Sequence, residues 1–107
     1  MTKKEVQDTI AQYRKKLESM GIRVKKIILY GSHASGTATE HSDLDLVVVS
    51  NDLKDLDLWE RLCLLGQARI GISKPMEILG YTEEEYESDQ CGTFIRDEVK
   101  AKGVEVI

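Results

Sequence analysis

The stretch Asp43-Leu44-Asp45-Leu46-Val47-Val48-Val49 limits the fold more than any other part of this sequence. Beyond Asp45 it is apolar on both faces and largely β-branched, and a strand of that kind belongs in the interior of a sheet covered on both sides. The segments around it supply the cover. In residues 3–20, Val6, Ile10, Tyr13, Leu17 and Met20 recur at spacings of four and three, which predicts an amphipathic helix. Thr2 and Glu5 have the spacing of a capping box at its start, and Gly21 ends it. Residues 24–30 and 75–81 read as strands on either side. Between them in the chain, residues 52–70 predict a second helix, with Leu58, Leu62 and Leu65 inward and Trp59 in the core beside them. Thr82 and Glu85 predict a capped, acidic turn. Residues 91–102 predict a last helix with Phe94, Ile95 and Val99 inward, Lys100 and Lys102 near its C-terminal dipole and Gly103 as its cap. Residues 104–107 close as an edge strand. The fold class expected is α/β: a small, mixed, twisted sheet with helices mainly on one face.

Length and balance fit that outline. The chain has 107 residues, of which 41% are hydrophobic and 32% charged, so a single folded domain over 1–107 is expected rather than disorder. No apolar run is long enough to span a bilayer and the first residues lead into no secretory signal, so a membrane is not an expected partner. Cys63 and Cys91 stand apart from each other and from any ligand-like spacing, which predicts two small core residues in a reduced, cytoplasmic protein. The net charge is −4 and no run of Lys or Arg exceeds two, which argues against extensive nucleic-acid binding and leaves room for a small anionic ligand.

The chemistry is concentrated between Tyr30 and Val49. A strand ends at Gly31, where glycine lets the backbone turn sharply. Ser32 and the amides after it then open a short helix, and free N–H groups beside a hydroxyl suit a phosphate. Gly36 removes a side chain where a ligand or another backbone could approach. Asp43 and Asp45 are two apart on an expected strand, so they share a face with Cα atoms roughly 6.5–7 Å apart. Two carboxylates on one face repel each other, and a divalent cation relieves that repulsion. Hard oxygen donors favour Mg²⁺ or Mn²⁺. His33 and His41 have no partners at zinc-ligand spacing and read as solvated loop residues, and the Glu83-Glu84-Glu85 run reads as a solvated helix start. The GSHASG segment lacks the Lys-Ser/Thr ending of a P-loop and the G-x-G-x-x-G spacing of a dinucleotide fold.

Gly31-Ser32, ten residues, then Asp43-x-Asp45 resembles the signature of the nucleotidyltransferase superfamily that includes DNA polymerase β. The short length and the Ser42-Asp43-Leu44-Asp45-Leu46 context are similar to its smallest members, the minimal nucleotidyltransferases, often found as antitoxins beside a HEPN-domain toxin. The resemblance implies a third carboxylate on a later strand, and the matching position is Glu77, where the family more often has Asp. It implies Gly31, Ser32 and Asp43 as nucleotide-binding residues, and Asp43, Asp45 and Glu77 as catalytic and metal-holding residues. Many relatives carry Arg where this chain has His33 and Ser35, which would leave Mg²⁺, the backbone amides and Lys74 to meet the triphosphate. The implied activity is transfer of a nucleoside monophosphate, AMP first among them, from ATP or another NTP to an acceptor hydroxyl by a two-metal mechanism. The chain has little left over for an acceptor domain, so the implied partner is a separate protein, a HEPN toxin modified on a tyrosine. A reading of another class stands beside it: a non-catalytic interaction module that uses the same fold to mask a partner protein.

Overall fold

The computed structural model describes residues 1–88 and 99–107. Helix α1 (Lys3–Ser19) leads into strand β1 (Lys26–Tyr30), a short helix α2 (Ser32–Ser35) and strand β2 (Leu44–Val49). A 3₁₀ turn (Asn51–Leu53), helix α3 (Leu58–Gln67), strand β3 (Met76–Tyr81), helix α4 (Glu83–Glu87) and strand β4 (Val104–Glu105) follow. The four strands form one mixed sheet in the order β3-β2-β1-β4. β1 runs antiparallel to β2 and to β4, and β2 runs parallel to β3. The α/β class, the mixed sheet and the interior position of the Leu46–Val49 run are as the sequence predicts.

The alternation of side chains explains the layers. Ile27 and Leu29 of β1 and Leu44, Leu46 and Val48 of β2 point to one face, where Val6, Ile10, Tyr13 and Leu17 of α1 and Leu65 of α3 complete the larger core. The Tyr13 hydroxyl donates to the Leu65 carbonyl at 2.8 Å, tying the two helices together. On the other face Ile28, Tyr30, Val47 and Val49 meet Tyr86 of α4 and Val99. Capping is literal at the ends of three helices: Thr2 with Glu5, Asp57 with Glu60, and Thr82 with Glu85 each exchange both bonds of a capping box.

Three expectations are corrected. Residues 52–70 are not one helix: the chain makes a 3₁₀ turn at Asn51–Leu53, and α3 starts only after the Asp57 cap. Leu58, Trp59 and Leu62 are not core residues; they are 69%, 72% and 41% exposed, and only Leu65 of that set is buried. Cys63 is exposed rather than a small core residue. The last two follow from the side of α3 that faces the sheet, where Arg61 and Leu65 take the inward positions. Lys74 Nζ pairs with Glu5 at 3.2 Å in a partly exposed contact. The expected helix over 91–102 and the placements of Cys91, Phe94 and Ile95 lie outside the described residues, apart from Val99, which is buried, and Lys100, whose Nζ stands 5.0 Å from the Tyr86 ring centroid. The closing segment pairs as an edge: Val106 donates to Ile27 at 2.9 Å and Ile27 to Ile107 at 3.4 Å. Among the described residues no helix is long and apolar enough to cross a membrane.

Candidate functional site

The site is built where three strand ends meet. β1 leaves the sheet after Tyr30 and turns at Gly31, whose φ of 73° is a left-handed value that glycine tolerates and β-branched residues do not. A second reason fixes the same residue. A Cβ placed on Gly31 would run into the side chain of Asp45, so the turn rests directly against that carboxylate. α2 begins at once with Ser32, and no side chain caps its N-terminus. It ends at Gly36 with φ 81°, and open space surrounds that glycine, so backbone conformation rather than close approach requires it.

The loop back to β2 is held by polar contacts that the sequence does not announce. His33 Nε2 lies 3.3 Å from the Ser42 carbonyl, which ties α2 to the residue before Asp43. The Thr39 amide donates to Ser42 Oγ at 2.8 Å, closing the turn below it. Asp43 is exposed and stands just ahead of β2, not within it. Asp45 is half-buried and is the second residue of the strand.

Register then sets the neighbours of Asp45. Tyr30 lies directly across from it on β1, and Glu77 directly beside it on β3. Residues paired across a sheet project to the same face, so Tyr30, Asp45 and Glu77 form one row over three strands. Met76 and Ile78 on either side of Glu77 are buried in the opposite direction, which leaves Glu77 exposed on the site face. The electrostatics follow. Burial, then Glu77, then Asp43 push the Asp45 carboxyl above its ordinary range, while His33 opposes the shift. Tyr30, buried beside Asp45, Glu77 and Tyr81, has its hydroxyl pushed up to about 12 and stays protonated at neutral pH. Tyr30 is the one member of this row that sequence reasoning takes only for the end of a strand; the YGS triplet places it there, but only the register shows that it adjoins the carboxylate.

These donors suit a hard divalent cation, and the unrelieved charge on Asp45 is the observation in favour of one. No three His, Cys, Asp or Glu side chains among the described residues are already gathered as a metal shell. A cation held here would therefore draw its remaining oxygens from water or from a phosphorylated ligand, as Mg²⁺ commonly does. A cavity of about 1090 Å³ does not lie over the carboxylates as an open cleft would. It runs between α1, α2 and the C-terminal strand and is lined by Arg14, His33 and Gly36 among others.

Comparison with known proteins decides the family. Residues 10–106 match the family model of the nucleotidyltransferase domain. The chain belongs to that family. This nucleotidyltransferase domain is 49% identical over 50 residues to a Methanocaldococcus jannaschii protein provisionally named a protein adenylyltransferase; the match takes in 47% of this chain. The chain spans about half the length of that curated relative, 48% of it. Among solved structures, a candidate nucleotidyltransferase from Sulfolobus solfataricus superposes with a TM-score of 0.59 at 18% identity, over 98% of this chain and 87% of the other. A toxin–antitoxin structure with AMP-PNP also gives 0.59, at 20% identity, over 94% of this chain and 72% of that one. Both likenesses are to the fold, and both agree with the mixed sheet described above.

Proposed function

We propose that this nucleotidyltransferase domain, working as one unit over residues 1–107, moves AMP from ATP to a hydroxyl on a separate protein, a HEPN-type toxin being the partner that the family resemblance points to. The observation that carries the reading is the row Tyr30–Asp45–Glu77 with the Gly31 turn seated on Asp45. It puts the Gly31 turn against two carboxylates, Asp45 and Glu77, at one end of the strands, with Asp43 just ahead of β2. In the reaction, the acceptor oxygen bonds to the α-phosphorus, the bond from that phosphorus to the bridging oxygen breaks, and pyrophosphate leaves. Ser32 and the first amides of α2 would hold the β- and γ-phosphates, and Asp43 and Asp45 would hold Mg²⁺. Mg²⁺ supplies neutralisation of phosphate charge when bound. Glu77 stands at the far end of the row, on the edge strand, where it serves the acceptor hydroxyl and the proton it loses. The provisional name of the relative matched over half its length and the toxin–antitoxin structure with AMP-PNP both support a protein acceptor and an adenine nucleotide.

The test separates binding from transfer. Calorimetric titration with ATP and Mg²⁺ should show binding by the wild type and none by Asp43→Asn/Asp45→Asn, with the fold intact in both. Glu77→Gln should keep the dissociation constant within a few fold, yet slow label transfer from α-labelled ATP to the co-purified partner by ~10²-fold, the scale for losing a positioned base or its equivalent. Undiminished ATP binding by the double variant would remove the metal-site reading. The second reading, a non-catalytic module that masks its partner, is favoured by Glu77 at a position where the family more often has Asp and by His33 and Ser35 where many relatives carry Arg. It wins if the wild type binds its partner tightly and transfers nothing to it.

A further inference from the structure

Helix α3 is apolar on two sides, and one of them looks away from the sheet. Arg61, Leu65 and the capping Ala68 face inward, where Leu65 lies over Gly80 and Arg61 reaches the Gly80 carbonyl. Leu58, Trp59, Leu62, Cys63 and Gly66 are left outside. At helical spacing these five form one stripe, about 12 Å long at 1.5 Å per residue. Leu58 and Trp59 are each about seven-tenths exposed, a state that an isolated domain gains nothing from. Trp is also the residue type that most often dominates a protein–protein contact. Gly66 has nothing near its missing side chain, so the backbone of a visiting helix can come close there.

We propose that this outward face of α3 docks a single helix of a partner protein, apolar along one stripe and lined with Lys or Arg beside it. The inference deepens the proposal of a separate protein partner and rests on it. Charge selects the occupant. Asp55, Asp57 and Glu60 are exposed around the start of the stripe, and the one cation between Asp55 and Gln67 is Arg61, which is turned inward and bound to Glu85. A second copy would bring an equal acidic rim, with only Lys54 just before it and Arg69 beyond the far end to set against its three carboxylates, and each copy carries a net charge of −4. A basic amphipathic helix meets the same rim with attraction. The surface also lies away from the chemistry. Arg61, in the first turns of α3, bonds near the C-terminal end of β3, whereas Asp45 and Glu77 sit at the N-terminal ends of their strands. A partner held on α3 therefore leaves the carboxylates open to a hydroxyl that it presents.

Trp59 is the only tryptophan in the chain, so its emission reports occupancy of this face directly. The probe is a synthetic amphipathic peptide of leucine and lysine, compared with one in which glutamate replaces every lysine in the same pattern. The expected result is a saturable blue shift at one peptide per chain with the lysine peptide, and affinity about tenfold or more lower for the glutamate peptide. Asp57→Asn with Glu60→Gln keeps both capping groups, and should weaken the lysine peptide several fold while leaving the helix in place. Leu62→Asp should abolish the shift. Trp59→Ser should bind Mg²⁺–ATP like the wild type, so loss of nucleotide binding in the metal-site variants and loss of docking here are separate results. Equal affinity for the two peptides overturns the proposal. So does a blue shift that grows with protein concentration alone, matched by dimers in sedimentation, because the occupant is then a second copy.

Discussion

Asp45 sits where its charge is least welcome. Burial and two neighbouring carboxylates raise its proton affinity in the folded chain above that in the unfolded one. A group shifted upward contributes stability that is complete below its unfolded value and disappears as pH rises through the folded one. In metal-free buffer Asp45→Asn should therefore raise the thermal midpoint at pH 7, and the difference should shrink towards zero as the solution is made acidic. Adding Mg²⁺ with ATP should stabilise the wild type and not the variant. A variant less stable than wild type at pH 7 would mean that the carboxylate has a compensating partner. At this scale the sequence was informative where spacing carries the message. Gly31, Ser32, Asp43 and Asp45 are legible because a turn, a short helix and a strand fix their separation. Glu77 is reached only through a family resemblance, since its place beside Asp45 depends on a parallel pairing formed after a long crossover. Tyr30 was overlooked because an aromatic residue at a strand end reads as core; its cross-strand neighbour is set by register.

Among the elements, α3 is where hydrophobic pattern and structure diverge. Its residues are apolar nearly all the way round, so periodicity cannot say which side turns inward. The deciding residue is Arg61, whose partner Glu85 lies 24 positions later. Arg61 donates to both Glu85 carboxylate oxygens, at 2.6 and 3.2 Å, and to the carbonyls of Leu56 and Gly80 at 3.0 and 3.3 Å. In this way it fixes α3 to β3 and to the start of α4. The pairing holds the Glu85 carboxyl below its usual range, with Arg61 as the largest cause. Arg61→Ala removes the guanidinium from four acceptor oxygens, and should lower the unfolding free energy by about 3 kcal/mol, the low end for a broken buried pair because Glu85 is partly solvated. Urea unfolding measures it. A loss below ~1 kcal/mol, the range of surface pairs, would show that α3 is held by Leu65 and its neighbours instead.

For the molecule as a whole, the sheet order ranks the strands by protection. β2 is central and its apolar residues are fully buried, whereas β4 is a two-residue edge with Val104 48% exposed. Amide exchange should accordingly be slowest at Leu46, Val47 and Val48, at rates set by global unfolding, and much faster at Val106, whose bond to Ile27 opens locally. Equal protection at the two would mean that the sheet opens only as a unit. The α/β class and the interior place of β2 follow from apolar patterning, which a sequence displays, while the side of the sheet that each helix covers depends on long-range pairs, which it does not. The row Tyr30–Asp45–Glu77 also shapes how such a chain can change by descent. Residues lost or gained between β2 and β3 alter the connection and leave the parity of both strands untouched, because Leu44, Leu46, Met76 and Ile78 hold their faces by burial. A single residue inserted inside β2 or β3 reverses every side chain beyond it. Lineages of this domain are thus free to vary in length at the crossover and closed to it within the strands, so deletions and duplications should accumulate on one side of that boundary and be purged on the other.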